Sequence, residues 1–138
     1  MTDAHLNIKD LVIDCADPER LASFWGGLLG RPVAGRTGPY VWLRRENGLG
    51  MGFQQVAGPK AGKNRVHFDL AAEDPAAEQR RAESLGGQRL TGYEGGGFLV
   101  MADPEGNEFC IIPKDPFELD DEGRASYLSN QDLPPERI

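Results

Sequence analysis

The chain has 138 residues, the length of one domain whose core is large enough to fold without disulfides or a structural metal. Its 15 basic and 22 acidic residues give a net charge of −7, which argues against nucleic acid or an anionic membrane as partner. No apolar run approaches the roughly 20 residues of a membrane helix, no secretory signal is visible, and there are two cysteines. We therefore expect a reducing, cytoplasmic location.

The first elements along the chain are a strand and a helix. Residues 8–15 alternate between apolar and polar positions, the pattern of a strand with one packed face. Asp17 then caps a helix whose first turn accepts Pro18. Four large apolar residues follow at helical spacing before Gly30 ends this helix: Leu21, Phe24, Trp25 and Leu28.

The same pattern returns 57 residues later. Residues 65–70 alternate again, with Val66 on the apolar face that is expected to pack on a second helix over residues 75–85. Three features match at this offset: the Asp-Pro pairs at 17–18 and 74–75, Leu28 with Leu85, and Gly30 with Gly87. The matches fall where a strand-helix-strand unit needs these residue types, so we interpret them as an internal duplication.

Three short strands are expected after each helix. In the first half they lie near residues 32–34, 40–44 and 49–55, and in the second near 88–91, 98–101 and 107–112. Turns containing Gly and Asn connect the last two strands of each half, at residues 46–48 and 103–107. Each half is therefore predicted to be a βαβββ module, with residues 57–64 as the linker.

Three segments carry a resemblance to a known superfamily. They are DPERLASFWGGLLGRPV (residues 17–33), NRVHFDLAAEDPAAEQRRAESLGG (64–87) and FLVMADPEGNEFCII (98–112). Together they resemble the glyoxalase, bleomycin-resistance and extradiol-dioxygenase proteins, also called the vicinal oxygen chelate superfamily. Within it they are most similar to a glyoxalase-like branch whose activities are mostly unassigned.

The resemblance implies an α+β fold in which two βαβββ modules form a curled, mostly antiparallel sheet cup with the helices outside. Module 1 is expected over about residues 7–56 and module 2 over about 64–113, within a glyoxalase-like domain of residues 1–113. Residues 114–138 are then an acidic C-terminal extension. Members of the superfamily frequently pair, so a homodimer is expected.

The resemblance also implies places for a metal ion. Catalytic members hold a divalent ion with His, Gln or Glu from the first and last strand of each module. By position, these places fall to Asp10 and His67 on the first strands and to Cys110 on the last strand of module 2. The fourth falls to Gln54 by alternation, or to Phe53 if the offset of 57 holds throughout.

This set departs from the superfamily pattern. Carboxylates suit hard ions such as Mg²⁺ and Mn²⁺, whereas a Cys thiolate suits Zn²⁺ or Cu⁺. Glu108 shares a strand face with Cys110 and is an alternative to it, which gives Asp10, His67 and Glu108 as candidate ligands of a divalent metal ion. A thiolate nucleophile formed by Cys110 with His67 is a further alternative.

The remaining signal is an aromatic pair. Tyr40 and Trp42 share one face of their strand and are candidates for the wall of a pocket that holds a planar ligand. With the polar faces of the other strands, this gives a set of candidate ligand-binding residues: Asp10, Trp42, Gln54, His67, Asp69 and Cys110.

Three functions compete. The first is a protein that binds a small molecule in the cup without the usual full metal site, its negative charge favouring a cationic or polyhydroxylated ligand. The second is a divalent-metal-dependent lyase, isomerase or dioxygenase that acts on a substrate with vicinal oxygens. The third is a non-catalytic dimerising module.

Overall fold

The computed structural model of the chain describes residues 5–91 and 99–114. Its backbone divides into two compact units between Lys60 and Ala61, inside the segment predicted as the linker. The first unit contains module 1 and the second contains module 2. The expected C-terminal extension lies outside the described residues from residue 115 onward. Over the described residues, neither helix is long and apolar enough to cross a membrane.

Module 1 has five elements that form one sheet with a helix against it. They are β1 (Asp10–Cys15), α1 (Pro18–Leu29), β2 (Val33–Thr37), β3 (Tyr40–Glu46) and β4 (Leu49–Gln55). The strand order in the sheet is β1-β4-β3-β2. Strand β1 runs parallel to β4, and the other neighbours are antiparallel.

Module 2 repeats this plan. Its elements are β5 (Phe68–Ala72), α2 (Pro75–Ser84), β6 (Gln88–Arg89), β7 (Leu99–Ala102) and β8 (Glu108–Pro113). The strand order is β5-β8-β7-β6, again with the first strand parallel to the last. The predicted α+β fold of two βαβββ modules is therefore confirmed.

The two helices begin with the same capping geometry. Asp17 has φ −130° and ψ 88°, and Asp74 has φ −130° and ψ 87°. Each carboxylate accepts a hydrogen bond of 3.1 Å from the backbone N–H three residues later, at Arg20 and Ala77. These bonds satisfy amides that have no partner within the helix. The two predicted Asp-Pro helix starts are thus structurally equivalent.

The helix ends differ between the modules. Helix α1 ends at Gly30, which has the left-handed φ of 70° that glycine adopts without strain. Helix α2 is two residues shorter than α1. The residue with a positive φ after its end is Gly86, at 111°. The predicted equivalence of Gly87 with Gly30 is therefore wrong.

Module 1 has the larger helix-sheet core. Helix α1 buries the four apolar residues predicted for its packed face, together with core residues of β3 and β4: Leu21, Phe24, Trp25, Leu28, Val41, Leu43, Met51 and Phe53. Helix α2 buries Ala82, and among the described residues of module 2 most of the buried apolar ones come from β7 and β8. Val66 was expected to pack on α2 but is 74% exposed, since β5 begins at Phe68.

The last strands of the two modules are 58 residues apart rather than 57. Val12 pairs with Gly52 in module 1, and Asp69 pairs with Cys110 in module 2. The extra residue enters before β7, because Trp42 pairs with Gly52 just as Val100 pairs with Cys110. The structural counterpart of Cys110 is therefore Gly52, and neither Gln54 nor Phe53 occupies that place.

Candidate functional site

The side chains of module 1 that point away from α1 lie in rows across the sheet, on a surface we call the non-helical face. Alternation along β1 puts Val12, which is 43% exposed, on this face. The strand pairings then define two rows: Val12, Gly52, Trp42 and Gly35 in one, and Asp14, Gln54 and Tyr40 in the next. Two predicted ligand-binding residues, Trp42 and Gln54, thus share one face.

Trp42 lies over a glycine in the neighbouring strand. A Cβ atom added to Gly52 would overlap the indole ring, with Cδ2 at 3.0 Å and Cε3 and Cζ3 closer still. Tyr40 stacks beside the indole, with ring centroids 5.5 Å apart and planes 18° from parallel. On the other side of Trp42, a Cβ added to Gly35 would meet no atom within 4 Å. We call Tyr40 and Trp42 the aromatic platform.

Asp10, a predicted metal ligand, is held in an ion pair. Its Oδ1 lies 2.6 Å from Nη1 of Arg45. Arg45 also donates from Nη2 to the carbonyl oxygens of Lys9 and Gly48, the latter at 3.0 Å. A Cβ on Gly50 would overlap both charged groups, so the absence of a side chain there makes room for the pair. Asp10 therefore serves to bind a guanidinium group in this structure.

Arg45 is the residue that sequence reasoning missed. Strict alternation from the buried Leu43 places Arg45 on the helix side of the sheet. The register of β3 against β4 shifts between Leu43 and Glu46, so Gly50 faces an additional residue of β3. This irregularity brings Arg45 to the face of Asp10. A sequence signal for this arrangement does exist. Strand β4 has glycines at positions 50 and 52, and a glycine within a strand often marks a place where a neighbouring side chain lies across the backbone.

Module 2 brings His67, Asp69 and Cys110 together. One potential ligand atom from each residue lies within 4.8 Å of the other two, and we call these residues the polar cluster. Nε2 of His67 is 3.3 Å from Oδ1 of Asp69. Asp69 and Cys110 are paired neighbours in parallel strands, and His67 precedes Asp69 by two residues, so alternation places all three on one face. Three of the predicted ligand-binding residues are thus neighbours in the structure.

The Cys110 thiol is held in its protonated form. Burial, followed by the negative charge and the hydrogen bond of Asp69, raises the pKa of Cys110 to about 12, while the charge of Lys63 lowers it. A reactive thiolate needs a lowered pKa and a base beside it. Here Asp69 accepts from the thiol and also contacts His67, so the arrangement does not support Cys110 as a nucleophile.

Glu108 and Gln54 have other contacts. Oε1 of Glu108 accepts a 3.0 Å hydrogen bond from the backbone N–H of Asn64, and the Glu108 carbonyl accepts from Nδ2 of Asn64 at 3.2 Å. These bonds hold the segment that leads into β5. The backbone carbonyl of Gln54 accepts a hydrogen bond from Sγ of Cys15 at 3.6 Å, and the Gln54 side chain is half-buried on the non-helical face.

These contacts determine which metal ion the residues of each module could bind. A hard ion needs carboxylates, but Asp10 is paired with Arg45 and Glu108 accepts from Asn64. Gly52 stands where a ligand from the last strand of module 1 would lie, and it has no side chain. The residues of module 1 therefore do not fit a metal ion. The His, Asp and Cys of the polar cluster match the donors that zinc prefers.

Comparison with known proteins assigns the family. The family model of the glyoxalase-like domain matches residues 10–112. The chain belongs to the glyoxalase-like domain family. No curated protein sequence matches this glyoxalase-like chain.

Solved structures share the glyoxalase-like fold at low sequence identity. A glyoxalase-related enzyme from Fulvimarina pelagi is 17% identical with a TM-score of 0.63, over 87% of this chain and 96% of that chain. A glyoxalase/bleomycin resistance protein from Albidiferax ferrireducens is 19% identical with a TM-score of 0.59, over 77% and 97%. The trypanothione-dependent glyoxalase I of Leishmania major is 16% identical with a TM-score of 0.58, over 79% and 87%.

Gly52→Ala tests the position of the Trp42 ring. The added methyl group displaces the indole, so we expect the free energy of unfolding in urea to fall by about 1–3 kcal/mol and the near-UV circular dichroism to change. Gly35→Ala is the matched control in the same row, and we expect it to change the unfolding free energy by less than about 0.5 kcal/mol. Equal effects of the two substitutions would contradict this packing.

Cys110→Ala tests the raised pKa of the Cys110 thiol in metal-free protein. The unfolded thiol ionises near its ordinary pKa of 9.0 and the folded one near 12. The unfolded state therefore loses its proton first, and the stability contributed by the thiol falls by about 1.4 kcal/mol per pH unit as pH rises from 9 toward 12. The difference in unfolding free energy between the native chain and Cys110→Ala should follow this fall. A difference that stays constant over this range would contradict the raised pKa.

Proposed function

We propose that this protein binds a small organic molecule with a planar group, and that the aromatic platform is the surface the molecule contacts. The observation that carries the proposal is the placement of the Trp42 ring over Gly52, next to the open space above Gly35. An indole fixed by a stacked tyrosine presents a flat apolar surface with little conformational entropy to lose on binding. A planar group above Gly35 would lie against this surface.

The charges of module 1 favour a ligand that carries a cationic or hydroxyl group near the platform. Asp14 is exposed and shares a row with Gln54 and Tyr40. Asp10 contributes little negative charge, since Arg45 neutralises it. The net charge of the chain is a poor guide here, because residues 115–138 hold seven of the 22 acidic residues and two of the 15 basic ones. The preference for a cation therefore rests on Asp14.

The proposal is tested by calorimetric titration with N-methylquinolinium and with quinoline, its uncharged counterpart at neutral pH. We expect both to bind, the cation more tightly. Trp42→Ala should weaken the binding of N-methylquinolinium at least about tenfold. A cation over an indole contributes about 0.5–2 kcal/mol to the binding free energy, in addition to the contribution of the buried apolar area. Trp42→Phe, the matched control, keeps a planar ring and should retain part of the affinity.

Asp14→Asn separates charge from stacking. It should reduce the preference for N-methylquinolinium over quinoline while leaving the affinity for quinoline unchanged, because the carboxylate acts on the charge alone. All titrations contain a chelator, so that metal binding plays no part. Unchanged affinity for both probes in Trp42→Ala, or failure of the native chain to bind either, would overturn the proposal.

A second candidate is a metal-dependent lyase, isomerase or dioxygenase. The observation that favours it is the polar cluster, whose donors converge on one side of module 2. A divalent ion supplies Lewis-acid chemistry to a substrate with vicinal oxygens. In module 1, Asp10 is paired with Arg45, and Gly52 stands at the place of a last-strand ligand, so we place this function second.

A reducing cytoplasm and a homodimer are further proposals. Both cysteines are buried and neither is in a disulfide, which is compatible with a reducing compartment. Sedimentation velocity of the full chain and of a chain ending at Lys114 tests the dimer. We expect a dimer for the full chain, and a monomer at all concentrations would contradict it.

A further inference from the structure

We propose that module 2 binds one thiophilic divalent ion of the zinc class through His67, Asp69 and Cys110, without a ligand from module 1. This inference goes beyond the organic ligand proposed above and does not depend on it. It differs from a hard-ion site shared by both modules in two respects: the chemical class of the ion, and the placement of every proposed protein ligand within one module.

The donor types support an ion of this class. Imidazole, carboxylate and thiolate are the three kinds of side chain that bind zinc in proteins, and a thiolate disfavours Mg²⁺ and Mn²⁺. Metal-ligand distances of about 2.0–2.3 Å in a tetrahedral site put the ligand atoms about 3.3–3.7 Å apart. The 3.3 Å between His67 and Asp69 already matches this spacing, and the 4.8 Å limit for the whole cluster leaves about 1 Å for side-chain rotation to close.

The surroundings leave a place for a fourth ligand. Cys110 is fully buried, whereas the side chains of His67 and Asp69 are 28% and 54% exposed, so the cluster is closed on one side and accessible on the other. Zinc sites with three protein ligands keep the fourth position for water or substrate. The geometry is therefore that of a site that can exchange its fourth ligand.

The backbone fixes two of the three ligands. Asp69 and Cys110 are paired residues of β5 and β8, and the bonds from Asn64 to Glu108 hold the segment before His67 against β8. Little conformational entropy remains to be lost when an ion arrives, which favours binding.

Cobalt titration tests the site, because Co²⁺ replaces zinc and reports its ligands spectroscopically. We expect one equivalent of Co²⁺ to give a thiolate-to-cobalt charge-transfer band and visible bands of tetrahedral intensity, both removed by Zn²⁺ and unaffected by Mg²⁺. Cys110→Ser should abolish the charge-transfer band. His67→Gln and Asp69→Asn should each weaken binding more than about tenfold.

Two controls keep the test decisive. Cys15→Ser removes the other buried thiol, and Asp10→Asn removes the carboxylate of module 1 that was predicted as a metal ligand; both should leave the Co²⁺ spectrum and affinity unchanged. In parallel, Zn²⁺ should raise the thermal midpoint of the native chain and of both controls but not of Cys110→Ala. Absence of a charge-transfer band in the native chain, or its loss in either control, would overturn the proposal.

The outcomes of the two proposals are separable. Binding of N-methylquinolinium is measured with a chelator present and should be the same in Cys110→Ser as in the native chain. Loss of cobalt binding therefore leaves the organic ligand unaffected, and loss of quinolinium binding leaves the metal site unaffected.

Discussion

The parallel pairing of the first strand of each module with its last strand is the constraint on which the candidate sites depend. Paired residues in a sheet share a face, so the register decides which side chains meet. In module 1 it places Val12 beside Gly52 and Trp42, and in module 2 it places Asp69 beside Cys110 and Val100. A shift of one residue in either strand would turn these side chains to the helix side and remove both surfaces.

The same framework supports two different chemistries in the two modules. Gly52 leaves room for an indole, and its counterpart Cys110 supplies a thiol. Asp10, which corresponds to His67 in the sequence repeat, is bound to Arg45, whereas His67 contacts the carboxylate of Asp69. The two modules therefore share a backbone plan, whereas the row holds Val12, Gly52 and Trp42 in module 1 and Asp69, Cys110 and Val100 in module 2. The places that the resemblance assigns to metal ligands therefore hold different groups in the two modules.

Much of the fold could be predicted from sequence, because local signals specify it. The Asp-Pro caps, the packed face of α1 and the turn at Asn47 and Gly48, with φ of 53° and 76°, need no long-range information. The site was less predictable. Counting at a fixed offset could not show the one-residue slip that makes Gly52 the counterpart of Cys110, and alternation could not show the irregularity in β3 that brings Arg45 to Asp10.

The central claim is that the two modules present different surfaces, and that a metal ion is held by module 2 alone. Anomalous diffraction at the zinc edge, from crystals of the full chain grown with one equivalent of Zn²⁺, tests it most directly. We expect a single anomalous peak bonded to His67, Asp69 and Cys110, with the Asp10–Arg45 ion pair intact. A peak bonded to Asp10, with Arg45 displaced from it, would show that module 1 also supplies a ligand.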